Sequence, residues 1–542
     1  MAQVPKIRLQ SQSVLRQGLP WALATAVLIT AAYPPWSLWP LAFFAYVPLL
    51  YWLHKHPTPL KQAALLGLIP GTILHAGVFW FLIHTMEAMS GFPLPLAMAT
   101  LVGYALAMGV HQAVFMLAVR LVSQSELSFN RTLLQALALA TVYAAIEFGV
   151  PYLFPWYLGN AFFDQPMWIQ TAEFIGICGT SLLVMLCNLL LTHAALAKQW
   201  RWRFVAIASG LLVFMGAYGT MRMKQIDAAP VQKTLKTLIV QANASLKEKL
   251  SEGRARMPML DRAETIIRQA DLGDRDLVIL PEGAMPFFWI PDAVGPAAQT
   301  ERKIPTRSPP ILREAKQRML TLVHDVNKPI LLGSLRRLDR MWVQEARNAA
   351  FLQWPDGREQ VYDKKILLPF GEYLPFTSLF PALKESIPGV SHMDPGTASG
   401  KMDVAGVKIL VNICYEALFA NFLRSEGSDA EVLVNLTNDV WFGPEPAPTL
   451  HLMVQQARAV ELRRPLLRST VTGITVHVSA DGVMHDPTEL YVEATRRYDA
   501  QVRDLDSPYR HWGDAPMWLL TLGSVAFLLH HSLRQRKAAK IS

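Results

Sequence analysis

Apolar residues crowd the first 221 positions in long runs, near 19–35, 38–53, 63–85, 93–122, 132–150, 167–196 and 204–221, and once more at 515–529. A membrane-spanning helix needs about 20 mostly apolar residues, so the runs predict eight spans. From about 226 to 508 the pattern changes: charges occur throughout, and short strand-like runs alternate with amphipathic stretches. The organisation expected is a membrane domain at 1–225, an inserted domain at 226–508, and a last span with a basic tail at 509–542. Lys6, Arg8 and Arg16 precede the first apolar run without a small-residue cleavage site, so that run is expected to be retained as a helix rather than removed as a leader.

Inside the insert, "TLKTLIVQ" (234–241), "DLVILP" (276–281), "KPILLGS" (328–334), "VKILVNI" (407–413) and "EVLVNLT" (431–437) read as strands. Helical periodicity appears at 259–272, 311–326 and 450–464. Strands alternating with helices predict a layered α/β domain. Strands apolar at nearly every position are covered on both faces, and functional residues in such sheets gather at strand ends.

Charge adds direction. With the N-terminus inside, the inner loops hold Lys55, Lys61, Arg120, Arg131, Lys198, Arg201 and Arg203, and the tail holds Arg534, Arg536, Lys537 and Lys540. Outer loops near 31–37, 86–95 and 149–166 carry no Lys or Arg. This asymmetry predicts cytoplasmic termini and an exoplasmic insert, with Arg222 and Lys224 as the awkward charges. A net charge of +9 is thereby explained without nucleic acid, for which no basic stripe with stacking aromatics is present. The three cysteines form no disulfide framework, and no paired Cys or His stands at metal-ligand spacing around Cys414.

Cys414, in "VNICYEALF", closes a strand and opens a short turn or helix, whose first N–H groups favour a thiolate; the alternative is a buried core cysteine. Glu282, in "VILPEGAMP", is the first charge after another apolar strand, either a solvated cap or a general base. "YDKKILLPFGEYLPF" offers a lysine and, eight residues after Lys364, the carboxylate of Glu372. A buried lysine stabilises the oxyanion formed when a thiolate attacks a carbonyl. Each signal is weak alone. Glu, Lys and Cys, each beside a strand and in this order, are stronger together.

These residues resemble the nitrilase superfamily, whose Glu–Lys–Cys triad follows strands of an αββα sandwich. Joined to eight spans, the whole chain is similar to the apolipoprotein N-acyltransferase family. "FPWYLGN" (154–160), "VQAN" (240–243), "LPEGAMP", "NLTNDVWFG" (435–443), "RAVELRRPLLRSTVTGI" (458–474) and "YRHWGDAP" (509–516) extend the likeness almost end to end. Three departures are visible: no Trp follows the "VQAN" strand in "ASLKEKLSEG", no Arg follows Glu147 before "FPW", and "PEGAMP" lacks the more usual Ser or Thr after its Glu.

The resemblance implies Glu282 as general base, Lys364 rather than Lys365 as catalytic lysine, Cys414 as nucleophile, and Glu372, Tyr415 and Glu416 as residues supporting the site. It implies an acyl donor that is a phospholipid, typically phosphatidylethanolamine, and acceptors that are diacylglyceryl-modified apolipoproteins. No cofactor, metal or nucleic acid is implied, and a monomer in a bacterial inner membrane is expected, with its catalytic domain periplasmic. The rival expectation is a membrane-tethered amidase in which water takes the acyl group. Aromatic and proline-rich loops at 283–291 and 372–383 are expected to form a lipid-facing lid, the alternative being that they pack on their own domain.

Overall fold

The computed structural model describes residues 5–122, 128–150, 152–289, 310–337, 346–375, 377, 379, 392–444 and 446–541. The chain forms two compact units: Met1–Ile83, Pro93–Asp227 and Ser507–Ser542 in one, His84–Phe92 and Ala228–Asp506 in the other.

The first unit is helical. Among the described residues, Val14–Ala31, Leu94–Val122, Phe129–Gly149, Ala172–Leu196 and Lys198–Ala228 are long and apolar enough to cross a membrane. Leu60–Val78 with Leu82–Ala88 makes a further pair bent by 52°, and Ala515–His530 is a shorter apolar helix. The run at 38–53 does not form one continuous helix: Trp39–Phe43 is a 3-10 segment and Val47–Lys55 a nine-residue helix. Prolines at 40 and 48 start these two pieces, where a missing N–H costs nothing. A Cβ on Gly71 would lie 2.7 Å from the Gly109 Cα, so helices Leu60–Val78 and Leu94–Val122 touch backbone to backbone.

Several polar side chains of this unit bond within it. Arg222, awkward in the charge pattern, grips Glu173 through both Nε (2.9 Å to Oε1) and Nη2 (2.9 Å to Oε2). Glu147 accepts the Leu158 N–H at 2.9 Å, and His75 bonds the Gly71 carbonyl at 2.8 Å.

The second unit contains two six-stranded sheets. The first carries β1 (Val231–Gln241), β2 (Leu277–Ile279), β3 (Ile330–Arg337), β4 (Ala346–Gln353) and β5 (Glu359–Asp363). The second carries β6 (Lys401–Val404), β7 (Val407–Ile413), β8 (Val432–Thr437), β9 (Leu466–Thr470), β10 (Val476–Val478) and β11 (Met484–His485). The chain then returns to the first sheet as β12 (Ala494–Arg503). Strand orders are β12-β1-β2-β3-β4-β5 and β11-β10-β9-β8-β7-β6. In each sheet three central strands, β1-β2-β3 and β7-β8-β9, run parallel, and the outer pairings are antiparallel.

Parallel neighbours need crossovers, and helices supply them. Met257–Gln269 and Pro310–Val326 lay Leu260, Ala263, Ile267, Ala315, Met319 and Leu322 on the outer face of the first sheet. Ala447–Leu462 joins β8 to β9 and is buried along almost its whole length. Between the sheets lies an apolar core that includes Leu235, Ile279, Leu352, Ile409, Val411, Val434 and Cys414. The layering is helix, sheet, sheet, helix.

The five strands expected from sequence coincide with β1, β2, β3, β7 and β8. β12 escapes the apolar criterion because it is an edge: its buried Tyr498, Ala500 and Val502 alternate with exposed residues.

Candidate active site

β7 is buried from Ile409 onward, and Cys414 follows its last residue as the first of a 3-10 turn, Cys414–Leu418. Its φ of +51° lies in the left-handed region, which a side chain enters only when its surroundings hold it there. The holding groups are polar and buried. Asn435 donates to the Cys414 carbonyl at 3.3 Å and to Asn412 Oδ1 at 2.8 Å, and Gln455 donates to Asn435 Oδ1 at 3.1 Å. His451 also bonds the Cys414 backbone, and its Nδ1 lies 2.9 Å from Asp439, itself paired to Arg468 at 2.5 Å. The Thr437 hydroxyl acts on the thiol in the direction of ionisation.

Glu416 fastens the same turn. Its carboxylate accepts from Ile413 N (2.7 Å), Lys365 N (2.6 Å), Ile366 N (3.2 Å) and the Tyr362 hydroxyl (2.7 Å). It therefore ties the Cys414 turn to the segment after β5. Glu416→Ala would strand several buried donors and is expected to cost about 3–5 kcal/mol, read as a lowered unfolding temperature of the detergent-solubilised chain. Glu416→Gln, which keeps an acceptor, should lose less; equal loss would contradict this role.

Glu282 sits just beyond β2, at the carboxyl end of a parallel strand, as Cys414 does beyond β7. Gly333 on β3 makes room for it: a Cβ there would fall 2.5 Å from the Glu282 Cα. Asn348 on β4 links two carboxylates, donating to Glu282 Oε1 at 2.6 Å and Glu372 Oε1 at 2.7 Å. Lys364, 1% exposed, follows β5 and reaches Glu372 Oε1 at 2.9 Å and Oε2 at 2.8 Å. Glu372 also accepts the Leu368 N–H at 2.7 Å. Lys365 points elsewhere, to Glu426 at 2.8 Å. Tyr415 is buried, its ring edge-on to Phe419 at 4.9 Å, and its hydroxyl feels the Lys364 charge.

The charges of Glu282, Lys364 and Cys414 act on one another. Burial pushes the Cys414 thiol well above its usual range, Glu282 adds to the rise, and Lys364 opposes it. The expected thiolate at a helix start is thus overruled: the turn is one short 3-10 segment, too little to offset desolvation. Burial likewise raises the Glu282 carboxyl, with Lys364 opposing and Glu372 reinforcing. For Lys364, burial favours the neutral amine, but Glu372, Cys414 and Glu282 outweigh it and hold the proton on. The arrangement is a neutral thiol, a carboxyl whose hold on a proton is strengthened by burial, and a fixed ammonium.

All six residues singled out in the sequence occur in this region. Asn348, Thr437, His451, Asp439 and Arg468 were not singled out. "NLTND" carried a signal for Thr437 and Asp439, because a polar cluster there follows an apolar strand. Asn348 carried none until β4 was known to be a strand. Of the first lid loop, Met285, Phe287 and Trp289 pack into the core of their own domain, with Trp289 donating to Glu359 at 2.9 Å; 290 and 291 lie outside the described residues. In the second loop Tyr373 is 37% and Leu379 71% exposed, while 376, 378 and 380–383 lie outside the described residues.

The layered second unit has the architecture of a carbon–nitrogen hydrolase domain, and the family model described as "Carbon-nitrogen hydrolase" matches residues 239–506. A second model, "Apolipoprotein N-acyltransferase N-terminal domain", matches residues 25–190. The chain is 26% identical over 529 residues to the apolipoprotein N-acyltransferase of Geobacter metallireducens, covering 94% of this chain and 95% of that one. It is 28% identical over 485 residues to that of Rhizobium meliloti, covering 84% and 85%. Among solved structures, an amidase from Nesterenkonia sp. aligns with 54% of this chain and 98% of its own, at 15% identity and a TM-score of 0.38. The chain belongs to the apolipoprotein N-acyltransferase family, within the nitrilase superfamily.

Proposed function

We infer that the chain is an enzyme of lipoprotein maturation that moves a fatty acyl group from a glycerophospholipid to the α-amino group of the diacylglyceryl-cysteine at a lipoprotein N-terminus. The observation that carries the mechanism is the mutual electrostatic contact of a buried thiol, a raised carboxyl and a fixed ammonium. In the first half-reaction Glu282 takes the Cys414 proton as Sγ attacks the ester carbonyl carbon. The ester C–O bond breaks, the lysophospholipid alkoxide takes the proton back from Glu282, and a thioester remains. In the second, the acceptor amine attacks the thioester, Glu282 receives its proton, the C–S bond breaks, and the thiol is restored. Lys364, with the Tyr415 backbone N–H, stabilises the oxyanion in both halves. Glu372 and Asn348 orient Lys364 and Glu282.

Phosphatidylethanolamine is the proposed donor, and the proposed working form is a monomer. The test is mass spectrometry of the purified protein mixed with that lipid: an acyl chain on Cys414, removed by hydroxylamine and passed to a diacylglyceryl-cysteine peptide. Release of free fatty acid with no N-acylated peptide would instead identify a hydrolase.

The proposed setting is a bacterial inner membrane crossed eight times, the run at 38–53 crossing in two pieces, with residues 226–508 periplasmic. Supporting this are the apolar helices and the Lys/Arg asymmetry. The native thiols are buried, so introduced cysteines report cleanly. Gln360→Cys, at an exposed position on β5, should react with a membrane-impermeant maleimide in intact spheroplasts, and Ser542→Cys only after permeabilisation. The opposite pattern would remove the acceptor from reach of the site.

A further inference from the structure

The site contains more negative charge than its recognised lysine balances. Glu282 and Glu372 share one amide, Asn348, and the ammonium of Lys364 is spent on both oxygens of Glu372. Beside a neutral thiol, two carboxylates and one ammonium leave one uncompensated charge, and the Glu372 charge makes Glu282 harder to ionise. A second cation stands close by. Lys249 Nζ donates to the carbonyl of Gly283, the residue after the base, at 3.1 Å.

Its placement is built rather than incidental. Lys249 lies in the short helix Leu246–Leu250, which follows β1 and opens with a reciprocal Ser245/Glu248 cap. Glu248 is held by Arg262 at 2.6 and 3.1 Å, and Arg262 also donates to the Ala242 carbonyl at 3.1 Å. The helix is therefore strapped to Met257–Gln269, which fixes the direction of Lys249. Gly283 meets it in kind: φ is +61°, and a Cβ there would lie 3.2 Å from Lys249 Nζ.

We propose that Lys249 is a positioning residue for acyl transfer, holding the Glu282–Gly283 turn through the Gly283 carbonyl and supplying the second positive charge that the paired carboxylates require. Burial and Arg256 lower the Lys249 ammonium to about 8, with Glu282 and Glu248 opposing, so the cation persists at neutral pH. Its charge in turn favours the ionised form of Glu282, alongside Lys364 and against Glu372.

This inference rests on the acyl-transfer reading, so its test uses a reaction that needs no lipid. The rate of Cys414 alkylation by iodoacetamide is followed against pH in the full-length, detergent-solubilised protein, with the modified residue located by mass spectrometry. Lys249→Gln keeps an N–H donor for the Gly283 carbonyl but removes the charge. It should move the acid limb of the profile upward by about one pH unit, with a rate near pH 6 roughly tenfold lower. Lys249→Arg should keep the limb where it stands in the unaltered protein. An unchanged limb in Lys249→Gln, whether or not the overall rate falls, overturns the proposal and leaves Lys249 a tether only. If phospholipid acylation fails in the unaltered chain while these shifts hold, the acyl-transfer reading fails and the role of Lys249 stands.

Discussion

Cys414→Ala is expected to abolish N-acylation of a diacylglyceryl-cysteine peptide completely, with membrane insertion and unfolding temperature close to those of the unaltered chain. The loss is total because a methyl group cannot form the thioester on which both half-reactions depend. The fold should tolerate it: the side chain is 7% exposed and adds only a sulfur to a large inter-sheet core, and Asn412, Asn435 and Gln455, which hold the turn, remain. Cys178→Ala and Cys187→Ala, within the helix Ala172–Leu196, should keep most activity. Normal N-acylation by Cys414→Ala, measured by peptide mass, would sink the mechanism.

The second large effect separates adjacent lysines. Lys364→Met should lower the rate of thioester formation by on the order of 10²–10³, the usual consequence of removing one positioned oxyanion stabiliser. It should also destabilise the protein, since Glu372 would lose its buried partner. Lys365→Met removes a half-buried pair with Glu426, worth about 1 kcal/mol or less, and should leave the rate within a few-fold. Stopped-time mass spectrometry of the acyl-enzyme measures both. Equal loss in the two variants would mean that the cation acting on the thioester carbonyl is not selected by its contact with Glu372.

Why one lysine and not the other was readable in advance is instructive. The family resemblance selected Lys364, eight residues before Glu372, and the fold separates the pair: just past β5, Lys364 turns to Glu372 and Lys365 to Glu426. Glu416 was legible as a site residue but not in its function. In the sequence it is a carboxylate two places after the thiol; in the fold it is an anchor for four donors, three of them in the distant segment at 362–366. Asn348 and Lys249 were not legible as site residues at all, because nothing in "RNAAFL" or "SLKEKL" marks a partner for Glu282.

The sequence alone determined what depends on local pattern. The length and apolarity of the runs predicted a membrane half. Uniformly apolar strands alternating with amphipathic helices predicted a covered α/β insert, and Glu282, Lys364 and Cys414 were marked as an acid, a lysine and a thiol beside strands. What only the tertiary structure decided depends on which segments meet. It breaks the run at 38–53 into two pieces, pairs Arg222 with Glu173, and brings two sheets together so that carboxyl, ammonium and thiol set one another's protonation. Burial then outweighs the short turn and keeps the thiol neutral. Desolvation and through-space charge are fixed by neighbours distant in sequence, and no local pattern carries them.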